Sequence, residues 1–211
     1  SVTVTTNDVN DSNPAANTLS SGSRTYTINN KTAGVGHILT PAGGAYAANA
    51  STSYTVNPGA AANLIAVLPG QTHVPGQTSI GAAITGAISD RTAGSAYNAT
   101  ILAVDGFYNI DASVGSVVSV TTSDLNDIEP SSSTFSSGQV IFSITNVTSG
   151  AGQFITPAAV GLTNIASSTF TVNPGAATQV IVVMPGQTHN EGVASLAAAI
   201  TGSPTAQVAG S

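Results

Sequence analysis

Apolar and polar side chains alternate in short runs along most of this chain. Ser1-Val2-Thr3-Val4-Thr5, Thr25-Tyr26-Thr27-Ile28, Ser53-Tyr54-Thr55-Val56 and Thr169-Phe170-Thr171-Val172 all have period two. Val140 to Ile144 follows it in part. Such alternation in β-branched and aromatic residues predicts half-buried strands. Leu64 to Leu68 and Val180 to Met184 are continuous apolar runs, and Ala99 to Val104 is a further strand. The two continuous runs predict strands buried on both faces. Gly, Pro, Asn and Asp clusters such as Ser21-Gly22, Pro41-Ala42-Gly43-Gly44 and Pro69-Gly70 punctuate the runs. Short strands between frequent turn signals favour a β-sandwich over a helical bundle. Val193 to Ile200 and its weaker counterpart Thr78 to Ile84 stand apart, as a short helix or an irregular edge segment.

The pattern repeats. Val4-Thr5-Thr6-Asn7-Asp8-Val9-Asn10-Asp11 returns as Val120-Thr121-Thr122-Ser123-Asp124-Leu125-Asn126-Asp127, 116 positions later. Thr55 to Ala61 returns as Thr171 to Ala177, and Pro69 to His73 as Pro185 to His189. Ala83 to Gly86 returns as Ala199 to Gly202, and Ala93-Gly94-Ser95 as Ala209-Gly210-Ser211. The offset never changes, so no insertion or deletion separates the copies. A 116-residue unit is of domain size rather than a solenoid repeat.

Composition narrows what such a unit does. Charged residues make up 6% of the chain, against about 25% in typical domains, and the formal net charge is −6. Only Arg24, Lys31 and Arg91 are basic, and they are scattered. Nucleic-acid binding, which recruits many basic groups, is not expected. No apolar run is long enough for a membrane-spanning helix. The absence of cysteine excludes disulfides, thiolate nucleophiles and Cys-based metal sites. Abundant Ser, Thr and Gly with little Lys suggest an extracellular or cell-surface protein.

Asn57-Pro58-Gly59-Ala60-Ala61, then Leu64 to Leu68, then Pro69-Gly70-Gln71-Thr72 and Pro75-Gly76 form an ordered series. It continues through Thr92 to Ser95, Ala103 to Asn109 and Val120 to Asp124. The series resembles the bacterial Ig-like tandem domains of very long surface proteins, in the style of invasin and adhesin repeats. That resemblance implies an all-β fold of tandem immunoglobulin-like β-sandwiches with a 116-residue repeat. It places unit boundaries near Pro58 and Pro174. Residues 1–57 are then the C-terminal part of one repeat, 58–173 a complete domain, and 174–211 the N-terminal part of the next. Under that phasing the last part lacks a counterpart of Ala96 to Ser116. Either the chain belongs to a longer polypeptide or a neighbouring subunit supplies the strand.

Oxygen-rich clusters are the candidate sites. Asp8, Asn10 and Asp11 recur as Asp124, Asn126 and Asp127, and Asp105, Asn109 and Asp111 form a third group. Two readings stand for them. They hold Ca²⁺, which takes six to eight oxygen ligands, or they cap turns by accepting from nearby backbone amides. An interdomain Ca²⁺ site requires the first and third groups to converge. His73 and His189 share a repeat position and read as surface-loop histidines, and His37 is replaced by Gln153. No Gly-x-Ser-x-Gly elbow appears, and no enzyme activity is expected. Asn-x-Ser/Thr triplets coincide across copies only at Asn30 and Asn146.

The expected function is structural: a repeat segment of an extracellular fibre, stalk or surface layer, partnered by copies of itself or further repeats and able to polymerise by strand complementation. The alternative is an adhesin-type module binding glycan or protein through loops such as the one carrying Phe107 and Tyr108.

Overall fold

A computed structural model describes residues 1–44 and 46–210. Ser211, the last residue of the recurring Ala-Gly-Ser, lies outside the described residues. The fold is all-β apart from two single-turn helices.

The leading segment carries β1 (Thr3–Thr6), β2 (Gly34–His37), β3 (Leu39–Ala42) and β4 (Tyr54–Val56). Next come β5 (Asn63–Val67), β6 (Thr72–His73), α1 (Ile80–Ala83), β7 (Ile84–Thr85), β8 (Arg91–Thr92) and β9 (Tyr97–Val104). The middle of the chain continues with β10 (Val117–Thr122), β11 (Ser133–Thr134), β12 (Gln139–Ile144), β13 (Gly150–Gln153), β14 (Ile155–Ala158), β15 (Thr163–Asn164) and β16 (Phe170–Asn173). The trailing segment holds β17 (Thr188–His189), α2 (Leu196–Ala199) and β18 (Ile200–Thr201).

The middle region has the core. One sheet runs β12-β9-β5-β15, with β15 parallel to β5 and the other pairs antiparallel. Two three-stranded sheets, β11-β10-β14 and β13-β16-β8, supply the opposing side chains. Leu64, Ala66 and Leu68 pack with Ala99, Ile101 and Phe142 against Val118, Val120, Ile155 and Val172. Successive strand residues face opposite sides, so Ile65, Leu102 and Val104 point the other way. There they meet Ile80 and Ile84 of the α1–β7 hairpin and Tyr108. The expected double burial of the Leu64 run therefore has a concrete cause: a sheet on one side, a hairpin on the other. Tyr97 closes one end, edge-on to Phe170 at 6.0 Å between ring centroids, with Arg91 5.2 Å from its ring centroid.

The ambiguous helical segments resolve as one turn each, α1 and α2, leading directly into β7 and β18. Each pairs back on a two-residue strand, β6 with β7 and β17 with β18. The hairpin needs Gly70, at φ +95°, and an added Cβ there would lie 2.2 Å from Ala87 O.

Two expected strands are absent. Residues 25–28 and 180–184 form no strand. Their counterparts in β12 and β5 are both zipped to β9, and neither of these segments has such a neighbour. An apolar run is buried only when partners cover it. Val180 is 97% exposed, whereas its counterpart Leu64 is 0% exposed. Among the described residues, every buried hydrophobic side chain lies between Leu64 and Val172.

Candidate inter-unit junction

Two of the three oxygen clusters, those of Asp8 and Asp105, sit where the leading segment meets the middle region. Asp8 follows β1 and is buried. Its Oδ2 accepts from the backbone N–H groups of Lys31 and Thr32, both at 2.8 Å. Its Oδ1 accepts from Thr32 Oγ1 at 2.7 Å and Asn10 N at 3.1 Å. Asp124 repeats this with Val147 N at 2.7 Å, Thr148 N and Thr148 Oγ1 at 2.8 and 2.7 Å, and Asn126 N at 3.1 Å. Asp11 and Asp127 each accept from the threonine at the end of the preceding strand, Thr6 and Thr122.

Asp105 and Asn109 form the opposing half. Asp105 Oδ1 accepts from Phe107 N at 2.8 Å and Asn109 N at 2.9 Å, while Oδ2 accepts from Gly59 N at 2.8 Å. Asp111 accepts from Ala61 N at 3.0 Å and from Ser113. Both carboxylates thereby hold the Pro58-containing linker. Asn109 then reaches across the junction: its Nδ2 donates to Lys31 O at 2.8 Å, and its Oδ1 accepts from Ala33 N at 2.9 Å.

The first and third clusters thus converge on one short segment, Lys31-Thr32-Ala33. Asp8 binds its N–H groups from the leading side and Asn109 binds it from the middle region. The Asp124 group lies at a separate place, towards the trailing segment. The oxygens are engaged as turn and clamp acceptors, and Ca²⁺ at Asp8 or Asp124 would have to displace four donors. Among the described residues, no group of three His, Cys, Asp or Glu side chains is placed to hold a metal ion.

A second contact strengthens the clamp. Asn10 Nδ2 donates to Thr32 Oγ1 at 2.9 Å and to Pro75 O at 3.4 Å, and Gln77 Nε2 donates to Asn10 Oδ1 at 3.1 Å. At the other end Asn126 Nδ2 donates to Thr148 Oγ1 at 3.0 Å and Glu191 O at 3.2 Å. Gly76 and Gly192 allow this approach. An added Cβ on Gly76 (φ +77°) would collide with Thr32 Oγ1 and lie 2.7 Å from Asn10 Nδ2. Gly76→Ala is therefore expected to cost about 1–3 kcal/mol, from left-handed backbone strain plus the lost contact. Urea denaturation gives the cost, and small-angle scattering should show a looser leading segment.

Electrostatics follow from the same bonds. Burial pushes the Asp8 carboxyl up, but the donors from Thr32, Asn10 and Lys31 outweigh it and hold the pKa at about 2. Asp124 is lowered against burial in the same way, by Thr148, Asn126 and Val147. Asp127 is raised by burial and by the neighbouring Asp124 charge, and Glu129 is raised by burial, then by Asp127 and Asp124. A depressed carboxylate contributes stability above its unfolded pKa and loses it as pH falls through the folded value. The Asp8 contribution, about 2 kcal/mol, should be intact above pH 4 and vanish between about pH 4 and 2. The raised pair acts oppositely, losing its contribution as pH rises through those carboxyls' elevated values. Denaturant midpoints for Asp8→Asn and wild type should converge as pH falls from 6 to 2. A gap unchanged at pH 2 would refute the assignment.

Of the two histidines expected on surface loops, His73 differs and His189 does not. His73 is half-buried, its Nε2 lies 2.7 Å from Tyr108 O, and burial lowers its pKa. His37 is buried against the Tyr54 ring at 5.8 Å, while His189 is exposed. Phe107 and Tyr108 are half-buried, and Tyr108 packs on the second core. Asn146 is 1% exposed and accepts from Tyr97 Oη at 2.9 Å, which leaves no room for a glycan in the folded state. Sequence reasoning named Gly76 only within the Pro75-Gly76 motif and passed over Thr32, Thr148 and Gly192. Their identity across the two copies was the available signal.

No protein-family model matches this chain, and no curated protein does. Among the described residues no helix is long and apolar enough to cross a membrane.

Proposed function

We propose that this chain is a non-enzymatic structural repeat segment of a long extracellular fibre, stalk or surface-layer protein. Its units are tandem immunoglobulin-like sandwiches at the 116-residue period, with 58–173 as the complete one. Residues 1–57 belong to the unit before it and 174–211 to the unit after. Its partners are further repeats of the same kind.

The observation that carries this reading is the junction. The Asn10 clasp and the Gly76 approach link the leading segment to the middle region, and the Asp8 hub inside the leading segment fixes the Lys31-Thr32 backbone they seat on. The same set occurs 116 positions on: Asn126 and Gly192 link the middle region to the trailing segment, and the Asp124 hub lies within the middle region. A short Pro-containing linker already limits bending. Side-chain clamps on the backbone at each joint remove most of the remaining freedom, so orientation passes from one unit to the next. That is what a stiff filament requires. Few charges and many small polar side chains suit packing beside identical neighbours.

Electron microscopy of the native assembly tests this directly. Straight filaments with an axial repeat of one sandwich length are expected. Independently tumbling beads, or a compact particle that captures glycan, would overturn the reading.

A further inference from the structure

An open cleft of 880 Å³ lies between the middle region and the trailing segment, bordered by Val147, Ser149, Gly175, Ile181, His189 and Leu196. Each of these has a counterpart 116 positions earlier, and there the space is filled. The occupant is the end of β9 and the turn after it, Leu102 to Ile110. It is held by named contacts. Ala62 N donates to Val104 O at 2.8 Å, and Gly59 N to Asp105 Oδ2 at 2.8 Å. His73 Nε2 meets Tyr108 O at 2.7 Å, and Lys31 O and Ala33 N grip the Asn109 amide. Ile65 packs on Leu102 and Val104.

In the cleft the same groups wait without those partners. Thr178 N, Gly175 N, the His189 ring, Val147 O and Ser149 N make no hydrogen bond among the described residues. Ile181 borders the cleft as Ile65 borders Leu102 and Val104, while on the opposite side Val180, Val182 and Met184 are exposed where Leu64, Ala66 and Leu68 are buried. A donor and acceptor set in this order recognises a polypeptide strand, since backbone groups pair with backbone groups. It also recognises a specific turn, Asp-x-x-x-Asn, whose side chains satisfy Gly175 N, Ser149 N and Val147 O.

We propose that this cleft is an acceptor for a strand and turn of the Leu102–Ile110 pattern, supplied by a further stretch of the same 116-residue repeat. The proposal rests on the fibre reading and names what seats at the trailing joint. A second copy of this chain is a poor source. Its own Leu102 and Val104 are buried and β9 is paired on both edges, so donation would dismantle its core.

The test extends the full chain past Ser211 with a copy of Ala96 to Ser116 and follows hydrogen exchange. The amides of Val180 to Met184 are expected to gain about 100-fold protection or more, approaching those of Leu64 to Val67. Alanine at the appended counterparts of Asp105 and Asn109 should abolish most of the gain. As a second measurement, a synthetic peptide of the Tyr97–Ile110 sequence titrated into the unextended chain should protect the same amides. Absence of protection in both experiments overturns the assignment. Protection that arises in the unextended chain on concentration, with a dimer by light scattering, overturns the source. Filaments with an unprotected Val180 edge would sink the cleft assignment alone, and protection without filaments would sink the fibre reading alone.

Discussion

Asp105→Ala is expected to lower the unfolding free energy of the middle region by about 3–5 kcal/mol. Asp105 is buried and accepts from three backbone N–H groups, those of Gly59, Phe107 and Asn109. The Asn109 side chain also donates to it, at 3.0 Å to Oδ2. Alanine leaves these donors without an acceptor in a place water reaches poorly, and each such orphan costs about 1–3 kcal/mol. The loss spreads beyond the turn. Gly59 belongs to the linker, and Asn109 is the group that clasps Lys31 and Ala33. The variant should therefore show both a lower denaturant midpoint and faster hydrogen exchange at Lys31 to Ala33. Asp105→Asn keeps the shape and one acceptor oxygen, so it should lose less on both measures. A variant whose stability stays within about 1 kcal/mol of wild type would refute the view of Asp105 as the organiser of this turn.

The second large effect is a contrast between two positions with the same place in the repeat. Leu64→Ala should cost about 2–5 kcal/mol, the usual range for emptying a filled core site. Val180→Ala should change stability by less than about 0.5 kcal/mol in this chain. The side chains are chemically similar, and the preceding Pro-Gly-Ala-Ala is identical. Only their neighbours differ: Leu64 packs among Ile101, Phe142 and Val118, whereas Val180 faces solvent. Equilibrium denaturation of both variants decides the matter. A Val180→Ala cost comparable to that of Leu64→Ala would mean that the trailing segment has a core of its own.

Much of the architecture could be read from alternation alone. The strands at Thr3–Thr6, Tyr54–Val56, Asn63–Val67, Tyr97–Val104, Gln139–Ile144 and Phe170–Asn173 fall where period two or a continuous apolar run placed them. The candidate residues were also visible, because Asp, Asn and Gly recurring at one offset stand out in a chain with so few charges. Their role was not visible. Asp8 and Asp105 lie far apart in sequence, and nothing local indicates that both act on Lys31-Thr32-Ala33. An Asp-x-Asn-Asp string has the same composition whether its oxygens face a cation or backbone amides. The choice depends on which donors the rest of the chain delivers. His73 followed the same rule: a loop histidine by sequence, it is half-buried because the turn after β9 folds over it.

By itself the sequence determined the all-β class, the recurring 116-residue pattern and the identity of the polar residues at the joints. These depend on periodicity, turn chemistry and composition, which are properties of neighbouring residues. Tertiary structure alone decided which copies of a pattern are buried and what the polar residues bind. Leu64 to Leu68 and Val180 to Met184 carry nearly the same hydrophobicity, yet one is core and the other surface. The difference is a single long strand, β9, which pairs with the first run and not with the second. Burial and hydrogen bonding are relations between distant segments, and no run of residues contains its own partner.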